Sequence, residues 1–549
     1  MGISPDGVLA IGIDSANYDL IKNWLDYLPN LKKLINKGVA GYSKSTLPPL
    51  SPAAWTTIMT GLNPGNTGIF DWIKLSENGK TEIVYSYHIK APKFWDYLSL
   101  NDKKVCIINM PMTYPALKVN GFMVSGVPGY MSSNRTTYPA SLRRELDSLV
   151  GGYEIIPPPT RFDLKRRGNE EVYINEFKRV LKKRIRAILY LLDKQVWDLF
   201  FPVFFLIDSI QHYFWHHMDP THPLHNSESK KFKNVIREAY ILVDNAIGKL
   251  IKESETDPNV IVISDHGMGP LYGYFYVNNF LIRSNVLKIN PKGKFFIKNS
   301  PLSNFLMSVE VFLGELSPIL FKNLLRILPF DFIEKHTARG EMRLNSENIR
   351  RFMDPETIAY AIGEYGQIFL TEYAKKAHNR EEIIKKLKRL LLHNIARYAK
   401  NELRVTVYEK KEIYYGKYVD LIPDIYYLIN DNQYMPNSKI TPDLKVFGPS
   451  ILTGHHRVHG LFIASGPYFE NYKGKDNPII FDILDFTPTL LALFKLSNLN
   501  NLDGKIAIEI FSDEFKQSIK EILAVKKASL KYKTKLRVKK LRKELKCNK

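Results

Sequence analysis

The sequence predicts an α/β protein: a mostly parallel central sheet with helices on both faces, and an inserted cap region. Three observations lead to the α/β expectation. Runs of strand length such as "GVLAIGID", "WDLFFPVFFLID" and "NVIVISDH" are apolar almost throughout, which suits strands buried on both faces. Segments with apolar residues at helical spacing alternate with them, the pattern of parallel strands joined by crossover helices. Each run also ends in Asp or His, and open α/β sheets collect ligands at the carboxyl ends of their strands.

Taken in order, "GVLAIGID" is a strand ending at Asp14, and "YDLIKNWLDYLPNLKKLINKG" reads as a helix with Gly38 as its stop. "STLPPLSPAAWTTIMTGLNPGNTGIFDW" places several hydroxyls before a turn rich in Gly, Pro and Asn. Ser51 stands directly before Pro52 at the start of helix-like "AAWTTIMTG". It can cap that helix, with Pro52 in the first turn. It can also present its hydroxyl where the backbone N–H groups and helix dipole favour an anion, and the two roles are compatible. "EEVYINEFKRVLKKRIRAILYLLDKQ" is an amphipathic basic helix, and "WDLFFPVFFLID" a strand run reaching Asp208. "NVIVISDH" then delivers Asp265 and His266. From about Tyr272 to Thr371 the pattern loosens, and "IAYAIGEYGQIFL" reads as short antiparallel strands with glycine turns. "HGLFIASGP" is a strand after the histidines of "TGHHRVHG", and "IIFDILDFTPTLLALF" a closing helix. The expected organisation is a core of residues 1–271 and 372–510, a cap of 272–371 and a basic tail of 511–549.

An apolar fraction of 45% with 12% aromatics is ample for a core and excludes wholesale disorder. Two cysteines, Cys106 and Cys547, exclude a disulfide framework or a cysteine zinc site and fit a reducing cytosol. The N-terminus lacks the pattern of a signal peptide. The long apolar region "FLMSVEVFLGELSPILF" is interrupted by Glu310 and Glu315, so no spanning helix is expected. A soluble cytoplasmic protein is the expectation. Of the net charge of +22, about half sits from Val525 to Lys549, where 12 residues are Lys or Arg and only Glu544 is acidic. Such a tail can contact anionic lipid, at the membrane periphery, or nucleic acid; a solvated helix is the alternative. Nothing in the sequence speaks to oligomeric state.

Asp208 and His212 stand at i and i+4, so on a helix both face one side. Carboxylate oxygen and imidazole nitrogen suit zinc and similar divalent ions. Asp265 with His266, Asp14, and the cluster His455, His456 and His459 add further donors. Any one of these is most simply a cap or a loop hydrogen-bonder, but together they point to a metal site.

The ordered blocks "LSPAAWTTIMTGLNPGNTGIFDW", "IDSIQHYFWHHMD", "ISDHGMG" and "TGHHRVHGLFIASGP", after Asp14, resemble the alkaline phosphatase superfamily. Within it the chain is most similar to the type I phosphodiesterase/nucleotide pyrophosphatase family in its archaeal and bacterial form. The resemblance runs from about Gly7 to Ile510, and "PDIYYLI" and "MDPETIAYAIGEYGQIFL" add to it. It implies a two-metal hydrolase that cleaves a small phosphate ester, a phosphodiester or nucleotide pyrophosphate, through a phospho-serine at Ser51. One ion would be held by Asp14, Ser51, Asp265 and His266, the other by Asp208, His212 and His456. His456 is preferred because Arg457 follows it, as in similar "HR" motifs; His455 and His459 are the alternatives. Zinc is the expected metal, with manganese or iron as alternatives. Two cations roughly 3.5–4 Å apart neutralise the phosphate and both the entering and leaving oxygens, and coordination activates the serine.

Two features depart from the family pattern. Ser51 stands where relatives usually carry threonine, and Asp71 with Trp72 follows the Gly-Ile turn where they place an asparagine. Asp71 is expected to hydrogen-bond its own loop. A sulfatase is disfavoured, because Trp55 stands four residues after Ser51 where that motif needs arginine. The competing readings are a phosphomonoesterase or phosphotransferase of the same superfamily, and a non-catalytic binding protein with a vestigial site.

Overall fold

A computed structural model describes residues 2–75, 81–128, 135–155, 170–298, 349–362, 365, 367–398, 402–470, 477–496 and 501–520. The tail from Val525, the stretch holding Glu310 and Glu315, and the two glycines of "IAYAIGEYGQIFL" lie outside these residues.

The central sheet has nine strands, here β1 (Ile3–Gly12), β2 (Val39–Lys44), β3 (Val105–Ile108), β4 (Gly121–Val124), β5 (Thr137–Tyr138), β6 (Trp197–Pro202), β7 (Asn259–Ile263), β8 (Phe462–Ser465) and β9 (Ile479–Asp482). Their order is β9-β2-β8-β7-β1-β6-β3-β4-β5. β1 runs parallel to both neighbours, with Val8–Gly12 opposite Asn259–Ile263 of β7. Only β8 and β5 run against the rest: β8 is antiparallel to β2 and β7, and β5 to β4. The α/β expectation with a mostly parallel sheet therefore holds.

Both faces of the sheet are covered, and β1 shows how. Leu9 and Ile11 join one hydrophobic cluster, Val8 and Ala10 the other, because successive side chains leave a strand by opposite faces. Helices α1 (Ser51–Thr60), α2 (Glu170–Leu192), α3 (Leu206–Met218) and α4 (Val235–Glu253) share the covering. The first cluster takes α2, α3 and α4 through residues such as Leu181, Ile210 and Val243. The second takes α1 through Trp55 and Ile58.

Three local expectations change. The helix read from Tyr18 to Gly38 is two, Tyr18–Asn23 and Pro29–Lys37. Pro29 has no N–H to continue a helix and starts the second one instead. "IIFDILDFTPTLLALF" opens as the edge strand β9, parallel to β2, before the helix Phe486–Leu493. The run reaching Asp208 stops as a strand at Pro202, and Asp208 lies in the first turn of α3.

A second layer packs its own core from residues between Phe275 and Val446. Its four-stranded antiparallel sheet is ordered Ala359–Ala361, Ile368–Leu370, Ile425–Ile429, Val405–Glu409. The first two are the short antiparallel pair expected from "IAYAIGEYGQIFL". The sequence boundary at Thr371 falls within this layer, just before the helix Glu372–Lys376. Among the described residues, no helix is long and apolar enough to cross a membrane.

Candidate active site

β1 and β7 are parallel neighbours, so Asp14 and Asp265, each two residues beyond its strand, emerge side by side. β8 is antiparallel and brings the segment that precedes it to the same edge. That segment, Gly454–Arg457, pairs with Gly267–Pro270 and sets His456 opposite Met268. α3 contributes Asp208 and His212, one helical turn apart. β2 leads through a short loop to Ser51, the first residue of α1. All seven residues expected at a metal centre thus meet at one edge. Asp14, Asp265 and His266 are fully buried, and Ser51 is 4% exposed.

Ser51 does not cap α1. The capping position is Leu50, and the Ser51 hydroxyl instead lies 3.0 Å from His266 Nε2. The same nitrogen is 3.2 Å from Asp265 Oδ2 and 3.9 Å from Asp14 Oδ1. On the other side, Asp208 Oδ1 is 3.2 Å from the Nε2 atoms of both His212 and His456, which are 3.0 Å apart. Donors bound to one zinc at about 2.0–2.2 Å in a tetrahedron stand roughly 3.3–3.6 Å from each other. The distances in the two groups, 3.0–3.9 Å and 3.0–3.2 Å, lie close to that spacing.

Hydrogen bonds fix which nitrogens face inward. His212 Nδ1 donates to the Gly454 carbonyl at 2.7 Å and His456 Nδ1 to the Pro49 carbonyl at 2.9 Å. His266 Nδ1 faces the Gly267 carbonyl at 3.2 Å. Each Nε2 therefore turns a lone pair toward the carboxylates, the orientation that outer partners impose on ligating histidines. Lone pairs facing a carboxylate at these distances are an arrangement that could hold a metal ion.

The charges agree. Burial first, then the carboxylates of Asp265 and Asp208, pushes the Asp14 pKa well above its usual range; burial does the same to Asp265. Burial also raises Asp208, but the imidazoles of His212 and His456 outweigh it and hold that carboxyl well below the ordinary value. Burial, then His456, pulls His266 well down. Among the described residues, no Lys or Arg forms an ion pair with Asp14, Asp208 or Asp265. Asp265 Oδ2 is buried and accepts no hydrogen bond among the described residues. Buried, unpaired carboxylates beside neutral imidazoles are a donor set that fits divalent cations.

The chain matches the family model described as type I phosphodiesterase / nucleotide pyrophosphatase over residues 8–461, a span that holds all seven residues. It belongs to that family. No curated protein matches the sequence. Among solved structures, murine ectonucleotide pyrophosphatase/phosphodiesterase 5 overlaps 92% of this chain and 100% of its own, at 15% identity and a TM-score of 0.46.

Phosphoester hydrolysis is the reaction class of the type I phosphodiesterase family, and the remaining features fit such a site. His459 is exposed and packs edge-on against Tyr42, away from the cluster. His455 is buried beside His456 and stacks on Tyr365 from the second layer. Asp71 accepts a 2.6 Å hydrogen bond from the Trp72 N–H, as expected of a loop residue.

Two contributors escaped the sequence reading. Ser15 holds a left-handed backbone at φ 60, rare outside glycine. Its hydroxyl donates to Asp208 Oδ1 at 2.6 Å, and its N–H reaches Asp265 Oδ1 at 3.3 Å, so it links both halves of the cluster. Trp55 donates its indole N–H to Asp14 Oδ2 at 2.8 Å from within α1. Their only sequence signals were the position of Ser15 next to Asp14 and of Trp55 one helical turn after Ser51.

Proposed function

We propose that this chain is a two-metal phosphodiesterase or nucleotide pyrophosphatase that works through a covalent phospho-serine at Ser51. The observation that carries it is the Ser51 hydroxyl, at the start of α1 and 3.0 Å from His266 Nε2, beside buried carboxylates that pair with no Lys or Arg among the described residues. Asp14, Ser51, Asp265 and His266 would hold one ion; Asp208, His212 and His456 would hold the other. Zinc suits this mixture of nitrogen and oxygen donors. Two bound cations supply charge neutralisation at the phosphate and activation of the serine oxygen.

The chain's own groups do the rest. Ser51 Oγ attacks phosphorus, the bond from phosphorus to the leaving oxygen breaks, and the hydroxyl proton passes through solvent to the departing group. The ten-residue helix α1 directs its positive end at the phosphate. Water then cleaves the phospho-serine and restores the hydroxyl. Trp55 and Ser15 keep the carboxylates in place throughout.

The test is metal analysis with a substrate panel: bis-p-nitrophenyl phosphate, p-nitrophenyl phosphate and a dinucleotide pyrophosphate. Two equivalents of divalent metal and preferred cleavage of the diester or pyrophosphate are expected. Ser51→Ala should lose about a thousandfold or more of turnover while staying folded and retaining metal. Undiminished turnover in that variant would refute the serine mechanism.

A further inference from the structure

His455 is fully buried, and among the described residues neither of its ring nitrogens makes a hydrogen bond. A neutral imidazole carries one donor and one acceptor. Burying each without a partner carries the full desolvation cost of the group, and native folds seldom retain such a group unless something meets it. Filling space beside Tyr365, at a 5.4 Å ring separation, would be done as well by an apolar ring.

The position of the ring supplies the reason for keeping an imidazole. A ligating nitrogen of His455 lies with those of His212 and His456 in a group whose atoms are all within 4.8 Å of one another. Its ring stands 5.2 Å from that of His456, nearly parallel at 22°. Consecutive residues of a strand ordinarily send their side chains to opposite faces, yet here both rings serve one locus. Arg457 Nη1 donates to the carbonyls of both residues at 3.1 Å and ties that stretch of backbone together.

We infer that His455 is an additional donor to the ion on the Asp208 side, so that this half of the centre presents three imidazoles and one carboxylate. The inference rests on the two-metal reading above. It makes the two halves chemically unlike. Asp14, Asp265, Ser51 and His266 form an oxygen-rich set that accepts harder ions, whereas the imidazole-rich set selects Zn2+ or Co2+ over Mg2+ and Ca2+.

The experiment titrates metal-depleted full-length protein with Co2+, followed by calorimetry and by visible absorption. Wild type should take two equivalents. His455→Phe keeps the stacking and removes both nitrogens; His455→Gln keeps a polar group. In each, one equivalent should bind as in wild type, which also reports that the variant is folded. The other should weaken about tenfold or more, with a changed Co2+ spectrum. His212→Ala should weaken that same equivalent. Two wild-type affinities and an unchanged spectrum in His455→Phe would overturn the inference while leaving the two-metal reading intact. No uptake by wild type would overturn both. X-ray absorption of the zinc-loaded wild type is independent of any variant: it should count four imidazoles over the two ions, and a count of three removes His455.

Discussion

Trp55 needs the space that a side chain at position 12 would take. A Cβ on Gly12 would lie 2.6 Å from the Trp55 ring and 2.9 Å from Val203. Gly12→Ala should therefore cost about 1–3 kcal/mol by overpacking and tilt the indole that holds Asp14, lowering metal affinity as well as Tm. Trp55→Phe isolates the second effect: it removes the N–H while preserving bulk, and should weaken metal binding about tenfold or more by calorimetry. Ser15 allows a similar separation. Ser15→Ala loses the hydroxyl and keeps the left-handed strain; Ser15→Gly loses the hydroxyl and relieves the strain. In denaturant unfolding the glycine variant should be the more stable of the two by about 1–2 kcal/mol. None of these three residues stood out in the sequence. Acidic and histidine donors are conspicuous by type, so Asp14, Asp265 and His266 could be picked out. A serine or glycine acts through contacts some 200 residues away or more, as Ser15 does with Asp208 and Asp265, and those are invisible before folding.

Elements were legible where burial is uniform and obscure where it is mixed. β7 is buried at every position, and "NVIVI" reads unmistakably as an interior strand. β9 is only partly buried, with Ile480 63% exposed at the sheet edge, so its sequence ran into the helix behind it. Ser51 shows the same limit: the spacing of Ser and Pro located the start of α1 correctly, but the direction of the hydroxyl is set by His266, far along the chain. The other end of α1 is closed by Gly61 at φ 64, with Thr487 and Pro488 close by. Gly61→Ala should cost about 1 kcal/mol or more from its backbone alone, read as a lower Tm. A loss of metal binding in that variant as large as in Trp55→Phe would contradict the view that the two ends of α1 act separately.

For the whole molecule, the alternation of apolar runs and helices was enough to reach the two-sided sheet, because a parallel strand must be covered on both faces. The second layer was less readable: its strands are three to five residues long, and short runs of that kind carry little periodic signal. Its contribution to the centre through Tyr365 could not be read at all. The concentration of buried carboxylates gives a global expectation. Chelation should lower Tm, and restored Zn2+ at about a hundred times its Kd should return about 2.7 kcal/mol of stability. An identical melting curve with and without chelator would contradict a metal-bound native state.

The place of β8 has a consequence for how the catalyst comes into being. Among the described residues β2 has β8 and β9 as its sheet neighbours, and both come more than 400 residues after it in the chain. Until β8 slots between β7 and β2, the strand leading to Ser51 has no ladder to join, and the paired imidazoles just upstream of β8 have not arrived. On the proposed mechanism, Ser51 and the histidines would come together only when that strand docks. A chain interrupted before residue 454 lacks β8 together with His455 and His456, and on the proposed mechanism it should cleave no phosphate ester in a substrate assay.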